Sequence, residues 1–345
     1  MIELIRRLDR TRFEVHVACF HREGAWLSRV EACAPVTEFP IAGFSRPATL
    51  ARAAGFARWL RSQRIAVLHS CDFYANTFAL PVAAVAGVPL RVGSRRELAP
   101  DKSPTQIALQ RHAYRWAHAI VANSSAAADS LLREGVPHGR ISVIPNGVNL
   151  ERFAFQRSVR PVRTILTVAN LRREKAHEVL FGAIARVAPR HPSLRLRLAG
   201  DGPRAAELRA LAASLGVADR IAFLGHREDV SALLEDADAF VLPSRSEAFP
   251  NSVMEAMAAG LPVIVSAVGG LLELVYSGRT GVLVPVDDRA ALADAIDALV
   301  MDPERAYELG QAARADIARR YSFDRMARSF EDLYVSHLRA ASEAA

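Results

Sequence analysis

The segment richest in residues that could do chemistry is 243–262, which reads PSRSEAFPNSVMEAMAAGLP. Pro250 suits the first position of a helix, so we predict a helix over 250–259. The amides of residues 251–253 would then have no partners within the helix. Together with the helix dipole, they would form a site for an anion such as a diphosphate.

Two glutamates flank the start of this predicted helix. Glu247 lies in the loop before it and Glu255 lies about a turn and a half inside it, so both carboxylates could face one ligand. The alternative interpretation is an N-capped surface helix with two solvated glutamates. The spacing across a helix start, followed by Gly260-Leu261-Pro262 before another apolar run, favours a ligand site.

The elements that must position these residues alternate regularly in the second half of the chain. Strands are predicted at 164–169, 194–199, 221–225, 239–242 and 262–266, and helical patterns lie between them. This alternation indicates βαβ units and a parallel sheet. Ligands of such sheets bind beyond the carboxyl ends of the strands.

The first half of the chain also alternates strands and helices, but less regularly. Its strand candidates are 13–20, 36–40, 65–69, 90–93 and 119–122, with helices at 48–63 and 105–117, a strand end at 144–148 and a linker at 154–162. We therefore predict two α/β domains, one over 1–158 completed by a C-terminal helix at 322–345, and one over 159–321. The cleft between them is the expected active site.

Composition agrees with two domains. At 345 residues, a prior of about 150 residues per domain predicts two. The net charge of +7 divides into +10 for residues 1–160 (22 Lys and Arg against 12 Asp and Glu) and −3 for residues 161–345 (22 against 25). A basic first half could touch an anionic membrane surface. Only Lys102 and Lys175 are lysines, so a lysine within a motif is conspicuous.

Several protein classes are excluded. Cys19, Cys33 and Cys71 are unclustered and lack the spacing of a metal site, which indicates a reducing compartment. The first residues carry charges rather than the apolar segment of a signal peptide, and no run approaches the ~18 apolar residues of a spanning helix. The sequence contains no P-loop, complete dinucleotide motif, zinc pattern or nucleic-acid-binding motif.

The segment 243–262 resembles the signature of retaining glycosyltransferase family 4, whose GT-B fold has two Rossmann-like domains with parallel sheets facing across a cleft that holds a nucleotide-sugar. The resemblance covers nearly the whole chain. Further matching motifs, in the family's order, are NSS (123–125), IPNGVN (144–149), LAGDGP (198–203), FLG (223–225), VGG (268–270) with Glu273, and TGVLVP (280–285).

The resemblance assigns roles to individual residues. Glu255 would bind the two ribose hydroxyls of the donor, and Glu247 would hold the donor sugar near the reacting carbon. Lys175 stands at the family's phosphate-binding lysine position, where an ammonium suits charge growing on a leaving phosphate. Glu247 and Lys175 are thus the catalytic candidates. The other donor-binding candidates are Arg172, Gly225, His226, Phe249, Asn251, Ser252 and Val253.

The chain also departs from the family pattern. Asn170 stands where the family often has arginine, and we expect Arg172 or Arg173 to supply a second cation. Ala176 and Ala248 replace customary glycines. No metal and no cofactor is expected beyond the nucleotide-sugar, because side chains would supply the cations.

The acceptor side is less clearly marked, since the histidine that many relatives place near the reacting sugar is not evident. His69 ends a predicted strand, and Arg95 and Arg96 follow the next one, so these three are the acceptor-side candidates. A purely structural role for His69 is an equal alternative.

The amino-terminal end of the family pattern is missing. Relatives begin with a strand and a glycine-rich loop before their first helix, whereas residues 1–8 resemble that helix and 13–20 the second strand. A misplaced start or a damaged copy would explain this. We favour the misplaced start, because losing a central strand would leave two rows of backbone polar groups unpaired.

The resemblance implies a retaining, hexosyltransferase-type enzyme that moves a sugar from a nucleotide-sugar to a glycan or lipid-linked acceptor, as in polysaccharide biosynthesis. The expected mechanism is front-face displacement, in which the leaving diphosphate takes the acceptor proton. Two alternatives stay open, a non-catalytic nucleotide-sugar-binding or partner subunit and a nucleotide-sugar epimerase. We expect a cytoplasmic protein, with peripheral contact at the inner face of an anionic membrane and no nucleic-acid partner. The donor base stays open among uridine, guanosine and adenosine.

Overall fold

The computed structural model describes residues 1–41, 43, 47–98, 103–153 and 155–343. The chain divides into two compact units, unit 1 (Met1–Gly147 with Phe323–Ala345) and unit 2 (Val148–Ser322). Lys102 lies outside the described residues, as do residue 154 of the predicted linker and the last two residues of the predicted C-terminal helix.

The first change of unit comes between Gly147 and Val148, earlier than the predicted boundary at 158/159. The intervening residues belong to unit 2 because they are bonded to it. The Val148 amide donates to the Tyr321 carbonyl at 2.8 Å. The Arg157 guanidinium donates to the carbonyl of Ala237 at 2.7 Å.

Unit 1 contains two parallel sheets that do not pair with each other among the described residues. The smaller sheet pairs β1 (Val17–Cys19) with β2 (Val36–Glu38), and the larger has the order β3 (Val67–Ser70), β4 (Leu90–Arg95), β5 (Ala119–Ala122), β6 (Ile141–Val143). The helices are α1 (Ile2–Arg7), α2 (Leu27–Glu31), α3 (Pro47–Ser62), α4 (Phe73–Ala86), α5 (Pro104–Tyr114), α6 (Ser125–Arg133) and a C-terminal helix (Phe323–Glu343).

Local sequence signals explain where these helices begin and end. Asp72 caps α4 by accepting from the Ala75 amide at 2.8 Å, and Gly87 ends the helix in the left-handed conformation (φ 78°). Ser103 and Gln106 form a capping box at the start of α5. The strand expected to end at 144–148 is instead Ile141–Val143, since the proline at 145 has no amide to donate to a ladder.

Unit 2 is a doubly wound parallel sheet. Its strands are β7 (Thr164–Val168), β8 (Arg195–Ala199), β9 (Ile221–Gly225), β10 (Ala239–Leu242), β11 (Val263–Ser266) and β12 (Val282–Val284), in the order β12-β11-β10-β7-β8-β9. Its helices are α7 (His177–Val187), α8 (Ala205–Ser214), α9 (Val230–Asp236), α10 (Asn251–Ala258), α11 (Leu271–Leu274), α12 (Arg289–Met301) and α13 (Pro303–Arg320).

Two apolar clusters cover the two faces of this sheet. Ile165 and Val241 pack into one cluster with α7 and α12, while their chain neighbours Leu166 and Phe240 pack into the other with α10 and α13. Side chains alternate between faces along a strand, so a sheet buried on both faces needs continuous apolar runs. The chain order reverses between β7 and β10, and such a switch point opens a crevice at the carboxyl ends of the strands.

Candidate functional site

A cavity of about 310 Å³ opens at this switch point of unit 2. Each of four strands supplies lining residues from the segment after its carboxyl end. Asn170 follows β7, Gly200 follows β8, His226 follows β9 and Glu247 follows β10. The crevice therefore brings together residues that lie far apart in sequence.

The central feature of the cavity is an ion pair between Lys175 and Glu247. The Lys175 Nζ lies 2.6 Å from Glu247 Oε1, and the Ser244 hydroxyl donates to the same oxygen at 2.7 Å. The Glu247 side chain is only 8% exposed and that of Lys175 is 19% exposed. Both catalytic candidates therefore lie in one cavity. Each is the ionic partner of the other, and a bound ligand could take the place of either partner.

Glycines allow the loops around this pair to approach closely. A Cβ on Gly270 would lie 1.8 Å from the Ala248 carbonyl oxygen, and one on Gly200 would lie 2.0 Å from the Ala169 carbonyl oxygen. The Gly270 amide donates to the Glu247 carbonyl at 3.0 Å. Only glycine permits such contacts, which gives a structural reason for the glycines of the VGG and LAGDGP motifs.

Helix α10 points its amino end at the cavity. Its first two residues, Asn251 and Ser252, line the cavity together with Pro250. Pro250 is the N-cap rather than the first helical residue that we predicted, because its ψ of 119° is extended. Since proline has no side-chain oxygen, it cannot cap the first amides, and the positive end of the helix dipole faces the cavity.

The loop that carries Lys175 is held by Arg245. The Arg245 amide donates to the Glu174 carbonyl at 2.7 Å, and its guanidinium donates to the Arg173 carbonyl at 2.8 Å. The same guanidinium is paired with Glu178 at 2.8 Å and with Asp287 at 2.7 Å. Arg245 thus ties the loop after β7 to the loop after β10.

Ala176 turns the chain from this loop into α7. It adopts φ 50° and ψ 40°, a left-handed conformation that costs an alanine about 1–2 kcal/mol. This explains why a glycine is customary at the position. Ala248, the other replaced glycine, has no positive φ.

Five of the predicted donor-side residues lie outside the cavity lining. Arg172 is exposed, and Gly225 accepts a hydrogen bond from the Gly200 amide at 2.7 Å. Phe249 and Val253 are buried, at 4% and 0% exposure. Glu255 lies partly buried in α10, where burial raises the pKa of its carboxyl above the usual value while the charge of Arg152 opposes the rise.

The acceptor-side candidates lie in unit 1 within local networks. His69 is held between the Tyr334 hydroxyl at 2.7 Å and the Ser94 hydroxyl at 2.6 Å. Burial, and to a smaller extent the charge of Arg96, lowers the pKa of His69 to about 3, so the imidazole is neutral. These contacts fit the structural role that we left open for His69.

The two arginine candidates differ from each other. Arg95 is 2% exposed and forms an ion pair with Glu134 at 2.7 Å, which is a core contact. Arg96 donates to the side-chain oxygen of Asn146 at 2.8 Å. Burial lowers the pKa of the Arg96 guanidinium.

Two residues that line the donor site, Arg227 and Asn170, were not among the predicted donor-binding residues, although the region 225–227 was expected near the nucleotide base and Asn170 stands at a position where the family often has arginine. Arg227 is a cation better placed than Arg172. Their position just after a strand was the signal available. Arg245 gave no signal of its own, because its role depends on partners spread over the chain from Arg173 to Asp287.

The described residues contain no cluster of metal ligands and no helix that could span a membrane. Among them, no group of three or more His, Cys, Asp or Glu side chains is arranged to hold a metal ion. None of the helices in the described part of the chain has the length and apolar character needed to cross a bilayer.

Known families and proteins are similar to this chain in sequence. The family model for glycosyl transferases group 1 matches residues 151–316, and that for glycosyltransferase family 4 matches residues 1–152. A glycogen synthase of Mycobacterium tuberculosis is 30% identical over 291 residues, covering 80% of this chain and 70% of that protein. An N-acetyl-alpha-D-glucosaminyl L-malate synthase of Bacillus anthracis is 29% identical over 213 residues, covering 59% of this chain and 55% of that protein.

A solved structure shares the fold over almost the whole chain. HepE of Anabaena, crystallised in complex with UDP-glucose, gives a TM-score of 0.86 at 22% identity and covers 97% of this chain and 95% of its own. The fold is GT-B, with two Rossmann-like domains. The chain belongs to the glycosyltransferases of group 1 and family 4.

Proposed function

We propose that the protein is a retaining glycosyltransferase that moves a sugar from a nucleotide-diphosphate sugar to a glycan or lipid-linked acceptor. The observation that carries the proposal is the cavity in unit 2, where Lys175, Glu247 and the amino end of α10 meet at a switch point. A cation and helix-start amides beside a carboxylate suit a ligand with a diphosphate at one end and sugar hydroxyls at the other.

In this proposal the Lys175–Glu247 pair opens when the donor binds. The Lys175 ammonium moves to the diphosphate and stabilises the charge that grows on the leaving group. The Glu247 carboxylate, released from its ion pair, accepts hydrogen bonds from the sugar and orients the reacting carbon. The leaving phosphate oxygen takes the acceptor proton on the same face, so the configuration is retained. We assign the phosphate charge to Lys175, Arg227 and the α10 amides rather than to a metal.

We further propose that unit 1 binds the acceptor, as the resemblance implies. The donor is a nucleotide-sugar, and UDP-glucose is the first to test because the Anabaena neighbour was crystallised with it. The finer assignments of a hexosyl group, a role in polysaccharide biosynthesis and a peripheral cytoplasmic location rest on the same resemblance.

A thermal-shift screen of UDP-, GDP- and ADP-sugars tests donor binding. A ligand at 100 times its dissociation constant stabilises the folded state by about 2.7 kcal/mol, so one series should raise the melting temperature measurably. We expect Glu255→Ala to abolish that shift. Glu304→Ala, which removes an exposed glutamate of α13, is the matched control and should keep it.

Turnover then separates the three functions. Release of the nucleoside diphosphate that depends on an added acceptor supports transfer, and the product's anomeric configuration tests retention. Binding without turnover would identify a non-catalytic subunit, and sugar interconversion without an acceptor would identify an epimerase. Activity that survives a chelator supports the assignment of the phosphate charge to side chains, while its loss, restored by a divalent metal, would contradict that assignment.

A further inference from the structure

Unit 1 contains a cavity of about 360 Å³ at the amino ends of β5 and β6. We call it the α5–β6 pocket. Its lining includes Arg111, Tyr114 and Arg115 at the end of α5, Gly135 and Val136 after α6, and Arg140 just before β6. The acceptor-side candidates His69 and Arg96 lie instead at the carboxyl ends of β3 and β4, which form the opposite edge of this parallel sheet.

The ends of two helices give the pocket its shape. Gly135 turns the chain out of α6 in the left-handed conformation (φ 85°), and a short 3-10 turn over His138–Arg140 then leads into β6. A Cβ on Gly135 would lie 3.9 Å from the Cδ of Arg111, so the Arg111 stem passes close to this turn. Tyr114 and Val136 belong to an apolar core cluster, which gives the pocket a fixed floor.

The three arginines of the pocket carry uncompensated charge. Arg111, Arg115 and Arg140 form no ion pair with any residue in the described part of the chain. Glu134, the acidic residue next to Gly135, is 11% exposed and is already paired with Arg95 at 2.7 Å. The Arg140 guanidinium donates to the Arg115 carbonyl at 3.4 Å, which offsets the negative end of α5 and keeps the guanidinium beside the pocket.

The residues around the pocket add further positive charge. His118 directly precedes β5, and the Arg91 guanidinium lies 3.1 Å from its Nε2. Burial lowers the pKa of His118, and the charges of Arg91, His337 and Arg140 lower it further. A nearby carboxylate would raise this pKa instead. The amino ends of β4, β5 and β6 therefore share one positive field.

This arrangement suits a phosphate better than other anions. Guanidinium groups stay charged at every physiological pH and bind phosphate oxygens in pairs through their planar donors. A terminal phosphate offers about two charges and three acceptor oxygens. A carboxylate or a phosphodiester offers only one charge, so it would use the three arginines less fully.

We propose that the α5–β6 pocket binds a terminal phosphate group, at a site distinct from the donor cavity of unit 2 and from the acceptor-side candidates. The group has two possible sources with the same chemistry. One is a soluble phosphorylated molecule, and the other is a phospholipid headgroup that ends in a phosphomonoester. The first requires only the pocket, whereas the second requires that the pocket meet a membrane surface.

Titration of the full chain with inorganic pyrophosphate, followed by amide NMR at about 0.1 M salt, tests the site. The Gly135 amide should shift saturably, and separately from the amides of Asn251 and Ser252 in the donor cavity. Arg111→Gln combined with Arg140→Gln should weaken the affinity read at Gly135 by at least about tenfold, because one charge-assisted hydrogen bond to phosphate is worth about that factor.

The matched control removes the same charge elsewhere on unit 1. Arg52→Gln combined with Arg58→Gln, at exposed positions on α3 outside the pocket lining, should change the affinity by less than about twofold. The Arg111 guanidinium has no hydrogen-bond partner among the described residues. Arg111→Gln alone should therefore leave the fold intact and still weaken binding several-fold, which keeps the test valid if the double variant unfolds.

Vesicles distinguish the two sources. Phosphatidylcholine vesicles containing phosphatidic acid, a phosphomonoester, are compared with vesicles of equal surface charge containing phosphatidylglycerol, a phosphodiester. A preference for phosphatidic acid that disappears in the Arg111 and Arg140 double variant identifies a lipid headgroup. Pyrophosphate binding at Gly135 without that preference identifies a soluble ligand.

Four results would overturn the proposal. The first is a wild-type chain that shows neither a saturable shift at Gly135 nor a preference for phosphatidic acid. The second is a shift confined to the amides of Asn251 and Ser252, which would place the anion in the donor cavity. The third is an affinity that the Arg111 and Arg140 substitutions leave unchanged. The fourth is an equal loss of affinity in the α3 control, which would indicate a general field rather than a site.

Discussion

At the scale of single residues, the Lys175–Glu247 pair couples local stability to the proposed chemistry. Replacing Lys175 by methionine would leave a Glu247 carboxylate of 8% exposure with the Ser244 hydroxyl as its side-chain partner among the described residues. Breaking a buried pair costs about 3–5 kcal/mol, and because Lys175 is partly exposed we expect about 2–3 kcal/mol in urea unfolding. A double-mutant cycle that combines Lys175→Met with Glu247→Gln should give an interaction free energy of about 1–2 kcal/mol between the two side chains.

The exposed pair Arg305–Glu308 of unit 2 provides the matched control. In the double-mutant cycle of Arg305→Met and Glu308→Gln, the interaction free energy should be less than about 0.5 kcal/mol. A coupling between Lys175 and Glu247 as small as this would mean that the pair is solvated, and it would remove the proposed exchange of partners on donor binding.

Glu255 links the titration of one carboxyl to the stability of unit 2. Its folded-state pKa is raised by burial, so its ionised form costs stability at neutral pH, and this cost disappears as the pH falls through the raised value. Glu255→Gln should therefore stabilise the ligand-free protein at pH 7 by up to about 1 kcal/mol, with the gain shrinking in acid. Melting temperatures of the two proteins from pH 4 to 8 test this.

The same substitution should weaken nucleotide binding, because under the proposed function the carboxylate accepts two ribose hydroxyls. Glu304→Gln, at an exposed position, should change neither the stability at pH 7 nor the affinity for nucleotide. A stability gain for Glu255→Gln that stays constant with pH would show that titration of Glu255 is not its origin.

At the scale of elements, the turn into α7 can be tested with a glycine. Ala176→Gly would relieve a left-handed alanine, worth about 1–2 kcal/mol, against about 0.5–1 kcal/mol of extra unfolded-state entropy. We expect a net stabilisation of about 0.5–1 kcal/mol by urea unfolding. Ala210→Gly, at an exposed right-handed position in α8, should instead destabilise by about 1 kcal/mol. An equal loss of unfolding free energy for Ala176→Gly and Ala210→Gly would contradict a strained backbone at Ala176.

Much of unit 2 was predictable because its elements are coded locally. Strands β9 and β10 occupy the predicted residues, since each is a short apolar run followed by a turn or loop segment. The Arg245 network was not predictable, because its partners meet only after β7, β10 and β12 are in place. In unit 1 the strand predicted over 13–20 is reduced to Val17–Cys19, because within the described residues one of its edges has no partner strand.

At the scale of the whole molecule, the charge follows the structural units more cleanly than it follows the halves of the sequence. Unit 1 has 22 basic and 15 acidic side chains, whereas unit 2 has 22 of each, so the entire net charge of +7 belongs to unit 1. Since unit 1 is the proposed acceptor-binding unit, its charge would attract an anionic acceptor or the anionic membrane that presents it. Unit 2 carries no net charge, so its long-range field would add little to this attraction.

This asymmetry predicts how binding to lipid vesicles responds to salt and to substitution. Binding to vesicles of phosphatidylglycerol should exceed binding to phosphatidylcholine and fall several-fold from 0.05 to 0.3 M salt, because the Debye length is only about 10 Å at 0.1 M. Neutralising Arg52 and Arg58, exposed on α3 of unit 1, should weaken it further, as each basic residue near the surface contributes about 1 kcal/mol. The matched pair Arg163 and Arg186, exposed on unit 2, should have little effect. Vesicle binding that does not depend on salt would contradict electrostatic attraction of the acceptor by unit 1. An equal loss of vesicle binding in the two double variants would contradict it as well.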